Sequence, residues 1–214
     1  LTVSKKNIFV VHSDDVNRIL KYKSNVQQYF ENQKVGVFLD QLIPFSYKEK
    51  IPEGYEDKYY ARLENSLKYM KAKLDLDDII IAMHPESRIY QQQLKDRFTS
   101  FQKSYGKTEM LIDSAYIVFG HFSTSIGIAA FLKKPIIILK DSTLFSIAKI
   151  KKLSKEISKE LNLSEIDMEN NDLLISDNQI PDFKAYNRFI KKFMKDSEVN
   201  ENSYYHTITT ICNT

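Results

Sequence analysis

Cysteine occurs once in this 214-residue chain, at Cys212. One thiol excludes an internal disulfide and a cysteine-based zinc site, and it suits a reducing compartment. The four histidines, at positions 12, 84, 121 and 206, form neither an HxxxH nor an HxH pair. No metal motif is therefore expected. No apolar run approaches the ~20 residues that span a bilayer. The longer runs, such as Ile79–Met83 and Pro135–Leu139, have strand length. Neither sign of charge dominates: 31 basic against 28 acidic residues leave a net charge of +3. That gives no overall basic field for nucleic acid. The motifs GxxxxGK[ST], GxGxxG and GxSxG are missing. Their absence argues against a P-loop kinase, a dinucleotide dehydrogenase and a nucleophile-elbow hydrolase. There is no internal repeat and no low-complexity segment.

What remains is an ordinary globular composition, 43% hydrophobic and 28% charged, on a chain long enough for one good core. The chain starts at Leu1 with no signal-peptide pattern, so a piece of something longer is expected. Residues 34–214 read as one domain and residues 1–33 as an extension or interdomain segment. Lysines cluster at 149, 151, 152, 155 and 159 and again at 191, 192 and 195. A solvated helix face is the plain reading of both. Attraction to anionic lipid or to a phosphorylated acceptor is the sharper one.

Strands are expected at Ile8–Val11, Lys34–Leu39, Asp78–Met83, Ala115–Gly120, Lys134–Leu139 and Asp172–Ile175. Asp78–Met83 is almost continuously apolar, as in a strand covered on both faces. Between them, polar residues around Asp15–Glu31 read as a helix, and Tyr59, Leu63, Leu67 and Met70 recur at helical spacing within Tyr55–Lys73. Pro44, Pro52 and Gly54 mark Ile43–Gly54 as a loop long enough to be functional. Ser87 is expected to cap a helix over Arg88–Lys103, ended by Tyr105-Gly106, with a short helical turn at Thr108–Ser114. Leu144–Leu161, Asp182–Lys195 and Glu201–Cys212 complete the helices. Alternating strands and helices specify an α/β fold with a doubly wound parallel sheet.

In such a sheet, ligands bind at the carboxyl ends of the strands. The polar residues of this chain concentrate there, at Asp40-Gln41, His84-Pro85-Glu86, His121-Phe-Ser-Thr-Ser125 and Asp141-Ser-Thr143. Pro85 restricts His84 to extended geometry and so fixes its direction. A single helix cap needs one hydroxyl. Ser123, Thr124 and Ser125 exceed that need and suit a phosphate at a helix start. Asp40, Gln41 and Glu86 stand at the substrate edge, and no catalytic carboxylate is assigned.

The run Ile79-Ile-Ile-Ala-Met-His84-Pro85, then Leu111 to Ser125, then Ala129-Ala-Phe-Leu-Lys-Lys-Pro-Ile-Ile138, resembles the C-terminal, donor-binding domain of GT-B glycosyltransferases. The nearest groups are those that build bacterial capsule and lipopolysaccharide, including the sialyltransferase-like ones. The resemblance implies a Rossmann-like half of a GT-B fold with C-terminal helices. It implies a CMP- or UDP-linked sugar donor, a glycan or lipid-linked acceptor and no cofactor. His84 and Pro85 would meet the nucleotide, Ser123, Thr124 and Ser125 its phosphate, and Gly120 would allow close backbone approach beside His121. A cytoplasmic site of action follows, with the lysine clusters available for a peripheral contact at the inner membrane. Two features depart from the family. Some thirty residues before Lys34 leave no room for an acceptor domain, and Ser104–Ile112 leaves little for the usual strand between the two motifs. A non-catalytic scaffold domain in polysaccharide assembly and a nucleotide-sugar epimerase-like fragment are the alternatives.

Overall fold

A computed structural model of the chain describes Val16, Arg18, Ile19, Phe30 and residues 32–170 and 180–194. Six parallel strands form one sheet. They are β1 (Val35–Leu39), β2 (Asp78–Met83), β3 (Gln102–Tyr105), β4 (Ile117–Gly120), β5 (Ile136–Lys140) and β6 (Ser164–Asp167). Their order across the sheet is β3-β2-β1-β4-β5-β6. The chain builds outward from β1 in one direction and then returns to its other side, so the order reverses between β1 and β4. Gly36 of β1 sits opposite Ile79 and Ile117, its neighbours on either side.

Both faces of the sheet are covered, and the strand alternation assigns each residue to one of them. Phe38, Ile79, Ile81, Phe119, Ile137 and Leu139 share a core with Tyr59, Leu63 and Leu67 of α2 (Tyr55–Lys73). Val37, Ile80, Val118 and Ile138 pack on the other face. There they meet Leu111 and Ile112 of α3 (Thr108–Ser114), Ile128 and Ala129 of α4 (Ser125–Phe131) and Tyr186 of α7 (Phe183–Phe193). Burial of each such side chain stabilises the fold by about 1.5–3 kcal/mol. Gly36 is dictated by this packing, because a Cβ there would lie 2.9 Å from Phe119 Cε2 and 3.1 Å from Leu76 Cδ1.

The helix over Tyr55–Lys73 forms with the expected bounds. Glu56 and Asp57 in its first turn and Lys71 and Lys73 in its last complement the helix dipole. Gly54, at φ 69°, supplies the left-handed turn that starts it. The segment before it is not a plain loop. It holds α1 (Ile43–Ser46), with Pro44 in its first turn, and a 3-10 turn at Lys48–Lys50.

Three other expectations are corrected. No helix spans Arg88–Lys103: a 3-10 turn at Pro85–Arg88 is followed by tight turns and then by β3. Tyr90, Leu94, Phe98 and Phe101 do turn inward at near-helical spacing. Phe98, however, takes φ 55°, and its N–H donates to Glu64 Oε1 at 2.6 Å instead of to a helix carbonyl. The strand missing between the two motifs is therefore present, one turn earlier than sought. The helix expected over Leu144–Leu161 is two, α5 (Ser142–Ser146) and α6 (Ala148–Leu161), broken where Ile147 becomes extended. Among the described residues the last strand is Ser164–Asp167, an edge strand with only Ile166 buried. The elements expected at Ile8–Val11, Asp172–Ile175 and Glu201–Cys212 lie outside the described residues, as does most of Asp15–Glu31. Asp182 caps α7 through the N–H groups of Lys184 and Ala185.

Candidate functional site

The reversal of strand order opens a cleft of about 570 Å³ above the carboxyl ends of β1, β2 and β4. Asp40 and Gln41 end β1, His84 and Pro85 follow β2, and Phe122, Ser123, Thr124 and Ser125 follow β4. All eight line the cleft. Three strand ends some forty residues apart in sequence are thus brought to one wall.

Asp40 is 5% exposed. Its Oδ1 accepts from Leu42 N at 3.2 Å and its Oδ2 from His84 N at 3.4 Å. Burial raises its carboxyl above the ordinary range, against the lowering effect of those N–H groups. The result is a carboxyl on the cleft wall that keeps its proton to higher pH than an exposed one does. To receive Asp40, the next turn places Leu42 at φ 49°.

His84 Nδ1 accepts from Glu86 N at 3.2 Å, so in the neutral ring Nε2 carries the hydrogen. The half-buried ring thereby offers a donor to a ligand. Ser87, expected to cap a helix, instead donates its hydroxyl to the His84 carbonyl at 2.6 Å. The amide oxygen of Gln41 accepts from Phe122 N at 3.0 Å, which ties the β1 corner to the β4 corner.

The three hydroxyls divide their tasks. Ser123 Oγ accepts from Ser125 N at 3.2 Å and so closes the turn before α4. Thr124 occupies the N-cap position and is exposed. Its hydroxyl makes no cap to the helix that follows. The seven-residue helix behind it is short, and its first N–H groups, those of Ser125, Ile126 and Gly127, donate to Ser123 Oγ, the Ser123 carbonyl and the Thr124 carbonyl.

Three expected site residues stand elsewhere. His121 is fully buried and off the cleft wall. The alternation that points Phe119 toward α2 points His121 the same way. There its Nδ1 meets the Leu139 carbonyl at 2.6 Å and its Nε2 the Tyr59 hydroxyl at 2.9 Å. Burial pushes its pKa down to about 4, against the raising effects of Leu139 and Asp141. Gly120 is buried at the end of β4, and a Cβ there would make ordinary contacts of 3.7 Å with Ile126 and Leu39. No protein atom approaches closely enough there to require glycine. Glu86 is exposed on the 3-10 turn and does not line the cleft.

The fourth corner, Asp141–Thr143, also serves the fold. The Asp141 carboxylate is fully buried. It accepts from the Tyr55 hydroxyl, from Leu144 N at 3.0 Å and from Arg62 Nη1 at 3.1 Å.

Several cleft residues escape sequence reasoning: Arg18, Tyr47, Gly106, Glu109 and Lys149. Tyr47 comes from the long segment after β1 and meets the Phe122 ring edge-on at 6.4 Å. Lys149 belongs to a lysine run whose plain reading is a solvated face. Among the described residues, no group of three or more His, Cys, Asp or Glu side chains is placed to hold a metal ion.

A Rossmann-like α/β sheet with its cleft at the topological switch point defines the class of this domain. No protein-family model matches the sequence, and no curated protein does. Among solved structures, the chain is similar to the UDP-GlcNAc 2-epimerase of Methanocaldococcus jannaschii in complex with UDP-GlcNAc and UDP. The TM-score is 0.50 at 16% identity, over 99% of this chain and 56% of that one. The ADP-heptose LPS heptosyltransferase II of E. coli matches at TM-score 0.35 and 12% identity, over 66% of this chain and 39% of that one. The fold is thus GT-B-like and Rossmann-like, and the chain spans little more than half the length of the epimerase.

Proposed function

We propose that this chain is the donor-binding half of a nucleotide-sugar enzyme, and that the enzyme is a glycosyltransferase acting on a bacterial surface glycan. The observation that carries the reading is the joining of His84-Pro85 and Ser123-Thr-Ser125 on one wall of the switch-point cleft. A CMP- or UDP-linked sugar would place its phosphate against the Thr124 hydroxyl at the start of α4. His84 Nε2–H would donate to the phosphate or to a ribose hydroxyl. In the transfer, an acceptor hydroxyl attacks the anomeric carbon, the bond to the phosphate oxygen breaks, and the nucleotide leaves with the negative charge. Donors fixed before the reaction stabilise that charge as it develops. Of the two carboxyls on this wall, Glu109 is paired with Arg18, and Asp40 is the candidate to take the acceptor's proton. The acceptor, a glycan or a lipid-linked sugar, would be held largely by parts outside this domain. No helix among the described residues is long and apolar enough to cross a membrane.

An epimerase-like reaction is the second reading, favoured by the fold likeness at TM-score 0.50. It uses the same cleft and the same leaving nucleotide.

Calorimetric titration of the 214-residue chain with CMP, UDP and their sugars tests the proposal. One nucleotide series should bind at a single site. His84→Ala should weaken it about tenfold, the loss expected for one hydrogen bond to a charged group. Absence of binding by every nucleotide overturns the reading.

A further inference from the structure

Lys149 stands on the wall of the cleft together with Thr124 and His84, yet it lies 25 residues beyond the hydroxyl turn in sequence. Arg18 is the other long cation on this wall, and it faces Glu109 Oε1 at 3.4 Å from its Nε. Among the described residues, Lys149 has neither an ion pair nor a hydrogen bond. Among the described residues the cleft wall thus carries one lysine without a partner and one hydroxyl of the turn, that of Thr124, which makes no cap.

The position of Lys149 is also unfavourable for its own helix. The first turn of α6 carries Lys149 and Lys151 and no acidic residue. Cations at a helix N-terminus oppose the dipole. α2, by contrast, carries Glu56 and Asp57 at its start. An anion in the cleft removes the conflict for Lys149. The Ile147 break sets this geometry. By ending α5 and starting α6 at Ala148, it brings the first turn of α6 to the cleft mouth. An unbroken helix from Leu144 would have no first turn at Lys149.

We infer that Lys149 is the phosphate-neutralising residue of this site, holding the nucleotide's phosphate between its ammonium group and the Thr124 hydroxyl. This rests on the nucleotide reading above and adds to it a residue and a role. The contact is that of a flexible point charge, which follows the phosphate as charge accumulates on leaving. Arginine at 149 would keep most of it.

The test compares nucleotides with their nucleosides on the whole chain. CMP, UDP, cytidine and uridine are titrated at low and at high salt. Lys149→Ala should reduce nucleotide affinity about five- to tenfold, the range for a partly solvated charged contact. It should flatten the salt dependence, since the screened interaction is gone, and leave nucleoside affinity unchanged, with Tm unchanged or slightly raised because a cation leaves the helix start. Lys149→Arg should restore most of the loss. Lys155→Ala, on the same helix but off this wall, should behave as the unaltered chain. Equal nucleotide binding by Lys149→Ala and the unaltered chain overturns the inference and leaves the nucleotide reading standing. Equal loss for nucleoside and nucleotide also overturns it, because a phosphate contact cannot act on a ligand without phosphate. Failure of the unaltered chain to bind either nucleotide overturns both.

Discussion

The Tyr59 hydroxyl donates to His121 Nε2 at 2.9 Å, inside the core between the sheet and α2. The direction follows from the other ring nitrogen. His121 Nδ1 lies 2.6 Å from the Leu139 carbonyl, which can only accept, so Nδ1 carries the hydrogen and Nε2 is the acceptor. Tyr59→Phe leaves that nitrogen buried and unpaired. The expected loss is about 1–2 kcal/mol in urea unfolding.

Acid should act through the same ring. Burial holds the His121 pKa at about 4, below its ordinary value. Between roughly pH 6.5 and pH 4 the unfolded chain binds a proton that the native one refuses, so stability falls as pH falls. The full effect is on the order of 3 kcal/mol. Asp40 opposes it: its raised carboxyl makes the native state the better proton binder, which stabilises as pH falls. In His121→Gln the urea midpoint should therefore depend less steeply on pH over this window than in the unaltered chain. Identical slopes would show that the imidazole is not the group responsible.

Asp141 is a fold residue at a corner that reads as a ligand corner. Removing its buried carboxylate in Asp141→Ala leaves the Tyr55 hydroxyl unpaired, uncaps α5 and leaves Arg62 with Glu169 alone. A loss of about 2–3 kcal/mol is expected, from one helix cap and one buried hydrogen bond. Thermal unfolding would show it. A change below about 1 kcal/mol would mean that the network is replaced by water.

Gly36→Ala should destabilise by about 1–3 kcal/mol, the range for overpacking a core. The added methyl would lie 2.9 Å from the Phe119 ring in the centre of the sheet. Gly120→Ala, with no atom closer than 3.7 Å, is the matched control and should be nearly neutral. Comparable losses for both would contradict the assigned packing.

Strand and helix order were legible in the sequence where apolar pattern and burial coincide. β2 and α2 form with the bounds read from Asp78–Met83 and from Tyr59, Leu63, Leu67 and Met70. The two edge strands were not legible. Gln102–Tyr105 and Ser164–Asp167 are largely polar because solvent covers them, and pairing to a neighbour, not pattern, makes them strands. Phe98 shows the reverse, an inward stripe at helical spacing on backbone that one left-handed residue prevents from being helix. At the site, His84 and the hydroxyl turn were visible as residues after strands. His121 was misplaced because strand alternation continues one residue past Gly120 and turns it inward. Lys149 was hidden by a charge run whose other members carry no such role.

Thr124→Val removes the one hydroxyl of the turn that sits at the helix start without capping it. Nucleotide affinity should fall about tenfold with Tm unchanged. Ser123→Ala should differ by also lowering stability by about 0.5–1 kcal/mol, because Ser123 holds Ser125 N. Calorimetry and thermal unfolding of the two variants separate ligand contact from capping.

The central claim is that a nucleotide binds at the switch-point cleft. Amide chemical-shift mapping of the chain with CMP and with UDP tests it most directly. Shifts should concentrate at Asp40–Leu42, His84–Ser87 and Phe122–Ile126, three segments joined only by the sheet's strand order. Shifts confined to the opposite end of the strands, or to the Ser164–Asp167 edge, would contradict the account.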